Sequence, residues 1–236
     1  MKPILRRLSA SASVLALLGV ALPAAAQECV GLPSGRGILS LGFEGTDGAS
    51  GQGVSFAWQT PGASLQLQHR SLDAFAQDDE ISTSEVQAAV RIPRIRLPLC
   101  ITAGAQWTDY EYSQHAGSSW SNTDGTRTES YRVLGGYQRL RVPVGISLGR
   151  ELNMGRGVSL VPHLQATAFL EHERLTPAGA APQTRLGVGW GVNAGLAVAK
   201  DWLVVRANLS HTHTYDRALS SRNNFPGASL HLGVRF

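Results

Sequence analysis

The chain has 236 residues, of which 43% are hydrophobic and 16% are charged, and it contains 26 glycines. This length fits one domain. The mean hydropathy of −0.06 excludes both a bundle of membrane helices and a highly charged disordered chain. The glycines follow no three-residue period, which excludes collagen.

The N-terminal residues have the three parts of a secretory signal peptide. A basic leader, Met1–Arg7, precedes a short apolar run, Ser13–Leu22, and Ala24–Ala26 supply a small-residue cleavage site. The apolar run is shorter than the roughly twenty residues that a membrane anchor needs. We therefore predict that residues 1–26 are removed on export. Residues 27–36 then form a periplasmic N-terminal segment before a domain spanning 37–236.

Removal of this leader changes the charge balance of the protein. The leader contains Lys2, Arg6 and Arg7 and no acidic residue, so the net charge falls from +4 to about +1. The basic isoelectric point thus gives no support for nucleic-acid binding. Cys29 and Cys100 both remain, and an even pair in an exported protein is a disulfide candidate. Two free thiols are the alternative.

Apolar residues alternate with polar or small ones through the rest of the chain, which is the period of a β-strand with two different faces. The pattern predicts ten strands. Their apolar faces run over Leu39–Phe43, Val54–Trp58, Leu65–Leu67, Val86–Val90, Ile101–Trp107, Leu140–Leu148, Val158–Leu170, Leu186–Val198, Leu203–Leu209 and Ala228–Phe236.

The predicted connections alternate between two kinds. Short turns occur at Thr60–Gly62, Asn153–Arg156 and Lys200–Asp201, with Pro93–Leu99 as a longer exception. Longer polar connections occur at Gly45–Gln52, Leu72–Ile81, Ser113–Thr128, Leu175–Thr184 and Asp216–Pro226. Short turns on one side and long loops on the other are typical of transmembrane barrels, whose short turns are periplasmic.

A soluble β-sandwich also alternates, and it would bury its apolar faces in a core about 10 Å thick. Here all ten strands carry an apolar face opposite a polar one, which suits a closed ring in lipid, where no strand edge can remain unpaired. We therefore predict an all-β fold: one antiparallel, up-and-down transmembrane barrel. Ten strands are expected, with eight or twelve as alternatives, and both termini are placed in the periplasm of a cell with an outer membrane.

Two segments resemble known outer-membrane proteins. The last strand, ASLHLGVRF, with Leu232, Val234 and the terminal Phe236, resembles the C-terminal signal by which Gram-negative outer-membrane proteins are recognised for assembly. The resemblance implies the barrel assembly machinery as a partner. The hairpin containing Pro143 and Pro162 resembles small barrels of the OmpX/OmpW type, whose simplest members have eight strands. We expect the two prolines to lie together at a bulge, because each removes a hydrogen-bond donor from the sheet.

The predicted topology also bears on the cysteines. Cys29 lies just before the first strand, and Cys100 follows a periplasmic connection. Both are therefore expected on the oxidising side of the membrane. A bridge between them is predicted to hold the N-terminal segment across the periplasmic mouth of the barrel.

Charged residues on the polar face are expected in the lumen: Glu85, Arg91, Arg132, Arg139, Arg141, Glu171, Arg206 and Arg235. They either line a passage for anions or form the ion-paired filling of a narrow barrel. We favour the filling, because a barrel of about ten strands has little free interior space. The glycine row Gly187, Gly189, Gly191 and Gly195 either opens a channel or admits the bulk of Tyr137, Arg139 or Phe169.

No metal or cofactor site is predicted. His211 and His213 share one face near the outer end of a strand, and His172 lies near the outer end of another. A zinc site needs three or four ligands, and no third ligand is identifiable, so we expect these histidines at a polar outer rim.

Enzymatic activity is not predicted either. Asp78, Asp79, His213 and Asp216 lie at heights that suit a rim protease of the omptin type, but the omptin motifs are absent. A lipid A hydrolase would need a Ser–His pair, and none lies in a recognisable motif.

Aromatic residues are expected to form two girdles at the membrane surfaces. Their members are Trp58, Trp107, Trp190, Trp202 and Phe236, together with Tyr110, Tyr112, Tyr131 and Tyr215 toward the outer ends. Trp120 lies in the long loop Ser113–Thr128 and is a candidate contact for a receptor.

The sequence therefore predicts a non-enzymatic, monomeric outer-membrane barrel with a structural role or a surface-interaction role through its extracellular loops. Its expected partners are outer-membrane lipids and lipopolysaccharide. A narrow channel for small solutes is the first alternative. A rim hydrolase acting on peptides or lipid A is the second.

Overall fold

A computed structural model describes residues 29, 31–33, 37–46, 49–60, 62–74, 80–93, 97–116, 131–177, 179–215 and 224–236, without the side chains of 74, 80, 112–116, 131–134 and 224–225. These residues form eleven strands. They are β1 (Ile38–Thr46), β2 (Ala49–Thr60), β3 (Ala63–Ala74), β4 (Glu80–Arg91), β5 (Leu99–Ala116), β6 (Tyr131–Gly149), β7 (Leu152–Gly155), β8 (Val158–Thr176), β9 (Gln183–Lys200), β10 (Leu203–Thr214) and β11 (Asn224–Arg235).

Ten of these strands close into one antiparallel barrel. Each of them pairs with the next long strand along the chain, β6 pairs directly with β8, and β1 pairs with β11 to close the ring. The short β7 pairs only with the start of β8, at the turn between β6 and β8. The predicted up-and-down barrel of ten strands is therefore confirmed. Closure leaves no free edge around the ring, which is the condition for burying a sheet in lipid.

The two chain ends meet at one end of the barrel. The amide of Gly37 donates to the carbonyl oxygen of Phe236 at 3.1 Å, and the amide of Phe236 donates to the carbonyl oxygen of Gly37 at 3.0 Å. We call this the terminal end and the opposite one the loop end. Within the described residues, no helix is both long enough and apolar enough to span a membrane.

The two faces of the wall differ as the alternation predicts, because successive side chains of a strand point to opposite sides. Apolar side chains such as Leu41, Phe43 and Leu186 point outward and are 66%, 74% and 74% exposed. Val161 and Phe169 point inward and are buried. The predicted apolar-out arrangement is confirmed on every strand of the ring.

Several connections are shorter than predicted. The expected polar loop Gly45–Gln52 is wrong: β1 continues to Thr46 and β2 begins at Ala49, with Glu44 and Gly51 paired across the ladder. Both strands extend beyond the belt of exposed apolar side chains on the outer surface. Their outward residues there are small or polar, which is also the composition of a loop. The strand β5 likewise extends to Ala116, inside the predicted loop Ser113–Thr128. The tight turns after β2 and β9 are confirmed.

The expectation that Pro143 and Pro162 lie together at a bulge is wrong. In the β6–β8 ladder Pro143 is opposite Phe169, while Pro162 is opposite Leu196 of β9. Pro143 faces β5, and the β5–β6 ladder has no paired residues between Ala103↔Val144 and Gln106↔Arg141. The register is the same on both sides of this gap, so the missing donor interrupts the ladder without adding a residue.

The barrel is taller on one side. The strands β5, β6, β8 and β9 have 18, 19, 19 and 18 residues, whereas the other six strands of the ring have 9 or 12. The tall strands are consecutive in the ring, so they form a wall that rises above the rest of the loop end.

Candidate functional site

The lumen contains a network of charged side chains centred on Arg70 of β3. Its guanidinium is 2.9 Å from a carboxylate oxygen of Glu44 and 3.2 Å from one of Glu85. Gln68 donates to Glu44, and Gln106 donates to Glu85 at 3.1 Å. The strands β1, β3, β4 and β5 thus contribute side chains that pair with one another in the interior. Such pairing offsets the cost of removing these charges from water.

A second ionic group lies on the tall side of the barrel. The Nε and NH2 atoms of Arg141 both donate to one carboxylate oxygen of Glu171, at 3.0 and 2.6 Å. The same guanidinium lies over the ring of Phe169, 4.0 Å from its centroid, where the ring face attracts a cation. Tyr137 donates to Glu173, and Arg139 donates to Thr108 at 3.3 Å.

Arg206 and two histidines complete the polar interior. Arg206 is 6% exposed, and among the described residues no carboxylate lies within ion-pair distance of it. With the Asn208 amide turned to satisfy its neighbours, the Arg206 Nε donates to the Asn208 oxygen at 3.3 Å, and the Asn208 nitrogen donates to His163 Nε2 at 3.2 Å. His231 is fully buried, with its Nε2 3.4 Å from Glu44.

The described charges inside the barrel balance. Four arginines, Arg70, Arg139, Arg141 and Arg206, are matched by four glutamates, Glu44, Glu85, Glu171 and Glu173. A cation-lined passage for anions needs an excess of positive charge. The arrangement instead has the mutual pairing of an ionic filling.

The predicted lumen set is only partly brought together. Glu85, Arg139, Arg141, Glu171 and Arg206 lie in the interior described above. Arg235 instead donates through Nε to the carbonyl oxygen of Asp201, at 3.1 Å, on the rim of the terminal end. Arg91 is opposite Cys100 at the terminal end of β4, and the side chain of Arg132 lies outside the described residues.

Sequence reasoning missed Glu44, Arg70 and Glu173. Glu44 follows Phe43, the last apolar residue of the predicted first strand, and precedes the predicted loop, so it was not assigned to the lumen. Arg70 continues the inward positions of Gln66 and Gln68, and Glu173 continues that of Glu171. Extending the period of two beyond the apolar band would have identified all three.

The terminal end of the lumen is closed by the segment before β1. A disulfide joins Cys29 to Cys100 of β5, with the two Cα atoms 5.5 Å apart. Cys29 and Leu32 are buried with Ala199 and Val204 in an apolar cluster inside the barrel. The Ser147 hydroxyl of β6 donates to the Cys29 carbonyl oxygen. The predicted position of this segment across the mouth is therefore the one observed, and we call residues 29 and 31–33 the plug.

The glycine row of β9 leaves space for large side chains of the adjacent strand β8. A Cβ atom on Gly189 would lie 2.4 Å from the Phe169 ring, and one on Gly195 would lie 2.4 Å from the His163 ring. The thin wall is thus filled by Phe169, as one of the two interpretations expected, and by His163, which was not expected.

The outer surface carries the aromatic residues at two heights. Trp58, Trp202 and Phe236 are exposed toward the terminal end. Nearer the loop end, Trp190 packs against His211 and His213 with ring centroids 5.6 and 5.8 Å apart, and Tyr215 contacts His213 edge-on. Tyr110 is an error in the predicted girdle: it is opposite Tyr137 in register and shares the inward face of β5 with the buried Thr108.

The remaining candidates do not form a site among the described residues. His172 is separated from His211 and His213 by β9. The described part of the chain has no group of three or more His, Cys, Asp or Glu side chains suited to holding a metal ion. Asp78, Asp79, Trp120, Asp216, and the side chains of Tyr112 and Tyr131, lie outside the described residues.

No family model matches the chain, and no curated protein matches it either. Solved structures do. The translocator domain of the autotransporter NalP from Neisseria meningitidis is 14% identical with a TM-score of 0.47, over 97% of this chain and 98% of that one.

Two further solved structures are also similar. The attachment invasion locus protein Ail of Yersinia pestis is 12% identical with a TM-score of 0.37, over 86% of this chain and 100% of that one. The outer membrane protease OmpT of Escherichia coli is 10% identical with a TM-score of 0.41, over 85% and 92%. The fold that the resemblance to small outer-membrane barrels implies is confirmed by the closed ring of ten antiparallel strands described above. At these identities the likeness concerns the fold alone.

Proposed function

We propose that this protein is a closed, non-conducting barrel of the bacterial outer membrane that acts through its outer surface and loops. The membrane location is supported by the closed ring, the apolar outward face of all ten strands and the N-terminal signal pattern. The terminal end then faces the periplasm, where the disulfide would be maintained.

The observation that carries the proposal is the double closure of the lumen. The plug fills the terminal end with apolar side chains and is covalently held to β5. Above it, the paired charges around Arg70 and Arg141 occupy the interior. A solute would have to displace a covalently held segment and separate buried ion pairs, each of which is costly to break.

Single-channel recording of the folded mature chain in a planar bilayer tests this proposal. We expect no conductance steps from a protein that is inserted and runs as a heat-modifiable band. A chain lacking residues 27–36 is the matched comparison, because it retains the ionic filling without the plug. Reproducible steps from the intact, oxidised chain would contradict the proposal and favour the narrow channel.

Assembly of this barrel is proposed to use its last strand. Leu232, Val234 and Phe236 share the outward face of β11, and Phe236 closes the ring through its backbone bonds to Gly37. We expect deletion of Phe236 to lower the amount of folded barrel in the outer membrane. Phe43→Ala, which removes an equally exposed outward aromatic ring from β1, is the control.

A further inference from the structure

Two adjoining hollows lie on the outer surface of the tall wall. The first, of about 300 Å³, is lined mainly by Leu140, Val142, Leu170, Leu186 and Val188. The second, of about 340 Å³, is lined by Trp107 and by polar residues that include Asp109, Gln138 and Arg174. Leu140 and His172 line both hollows, so the two are continuous. Together they present an apolar compartment joined to a polar one.

The strand register places this junction at the border of the apolar band. Trp107, Leu140, His172 and Leu186 form one row across β5, β6, β8 and β9. The next outward row toward the loop end is Asp109, Gln138, Arg174 and Thr184. An amphiphile lying along the wall would therefore place its tail below this border and its head above it.

Three outward polar side chains of the second hollow have no partner among the described residues. Among the described ion pairs and hydrogen bonds none involves the side chain of Asp109, Gln138 or Arg174. On the low side of the barrel, the row that contains Trp107 continues through Ser84 and His69, where the hydroxyl and Nδ1 lie 2.8 Å apart and so contact each other. The tall wall thus offers a cation, a carboxylate and an amide to an outside ligand.

We propose that these hollows bind one phosphorylated glycolipid of the membrane leaflet on the loop side. Its acyl chain occupies the hollow between Leu140 and Val188, and its phosphate pairs with Arg174 in a charge-assisted hydrogen bond. Sugar hydroxyls donate to Asp109, a role that a headgroup without hydroxyls cannot fill. Trp107 lies at the height of the membrane interface, where indole rings are favoured.

The proposal rests on the proposed membrane location but not on whether the lumen conducts. The test uses the folded mature chain in non-ionic detergent, with lipid A as the probe and native mass spectrometry as the measurement. We expect lipid A to be retained at least about tenfold more strongly than phosphatidic acid, which has a phosphate but no headgroup hydroxyl, or than dephosphorylated lipid A, the ratio that one charge-assisted bond supplies.

Variants locate the site. Arg174→Gln and Leu170→Trp are each expected to weaken lipid A retention about tenfold, the first by removing the cation and the second by filling the apolar hollow. The control for Arg174→Gln is Lys200→Gln, which removes an exposed cation at the terminal end of β9. The control for Leu170→Trp is Leu41→Trp, because both leucines point outward and are 66% exposed. Neither control is expected to change retention.

Asp109→Asn tests the proposed contact with the sugar hydroxyls separately from the proposed contact with the phosphate. It is expected to weaken lipid A retention and to leave phosphatidic acid retention unchanged. Equal retention of lipid A and phosphatidic acid, or equal losses in Arg174→Gln and Lys200→Gln, would overturn the proposal. A chain that inserts into bilayers without retaining lipid A contradicts this inference alone, whereas a chain that does not insert contradicts the proposed function.

Discussion

The two halves of the lumen are filled by different chemistry. At the terminal end, Cys29 and Leu32 pack against Ala199 and Val204, and the filling gains stability by excluding water. Toward the loop end, the filling consists of arginines and glutamates, and the loss of one partner from a buried ion pair leaves an uncompensated charge, which is strongly destabilising. One barrel is thus closed in two independent ways. Each closure should therefore fail under a different perturbation.

The ionic half should be the more sensitive to loss of one side chain. Glu171 is 2% exposed and accepts two hydrogen bonds from Arg141, so Glu171→Ala leaves a buried guanidinium without its partner. We expect the free energy of unfolding to fall by about 3 to 5 kcal/mol. Urea unfolding in detergent micelles measures it. Glu111→Ala, at an exposed outward position of β5, should change stability by less than about 0.5 kcal/mol.

The apolar half should respond to loss of its covalent bond. Replacing Cys29 and Cys100 together by serine removes a link between residues 71 apart in sequence, and we expect a loss of about 2 to 4 kcal/mol. The N-terminal segment should also become sensitive to proteolysis. Ser147→Ala is the comparison, because it removes only the hydrogen bond to the Cys29 carbonyl and retains the disulfide. Equal protease resistance of the double variant and the native chain would mean that packing alone holds the plug.

Sequence periodicity predicted the barrel because lipid imposes a simple rule on every strand: apolar outward, with no free edge. The rule has no force beyond the apolar band. There the outward residues become polar, and the ends of β1, β2 and β5 were mistaken for loops. The disulfide was predictable from the even number of cysteines in an exported chain together with the topology, which places both cysteines at the same end.

The interior was predicted less completely than the outer face. The alternation along a strand predicts that a side chain such as Arg206 points inward. Its hydrogen-bond and ion-pair partners depend instead on which strands bring other side chains close to it in the lumen. Arg70 thus bridges Glu44 and Glu85 from strands on either side of its own. The predicted position of Pro143 beside Pro162 was wrong for a related reason. Distance from a turn does not fix the register between β6 and β8 when the short strand β7 lies between them in the sequence.

Between the two fillings, the wall itself is tightly packed at Gly189. A Cβ atom there would lie 2.4 Å from both the Phe169 ring and the His213 carbonyl oxygen. We expect Gly189→Ala to cost about 1 to 3 kcal/mol through overpacking. Gly136→Ala on β6 has open space around its Cβ and is the matched control. Equal stabilities of the two variants, measured by the same unfolding assay, would show that the wall can move away from Phe169.

The smallest expected effect on stability comes from a pair of threonine hydroxyls, one of which also accepts a hydrogen bond from an arginine. The hydroxyls of Thr83 and Thr108 lie 3.2 Å apart in the buried interior, and Thr108 in addition accepts a hydrogen bond from the Arg139 guanidinium. Thr83→Val keeps the shape of the side chain and loses only the neutral bond, at about 1 kcal/mol. Thr108→Val should cost about 2 kcal/mol, since it also removes the acceptor of a charged donor whose Nε has no partner.

The double variant distinguishes these contributions. If the two hydroxyls serve only each other, replacing both is nearly neutral, because no unsatisfied group remains. If the Arg139 bond contributes, the double variant retains the additional loss of stability seen in Thr108→Val. The unfolding free energies of the native chain, the two single variants and the double variant then give a coupling energy that reports the hydroxyl pair only. The same residual loss should be absent from the Ser40–Ser55 pair, where two buried hydroxyls lie 2.7 Å apart and no arginine of the described residues donates to either. A residual loss of equal size at both pairs would mean that the ionic half is no more demanding of its hydrogen bonds than the rest of the lumen.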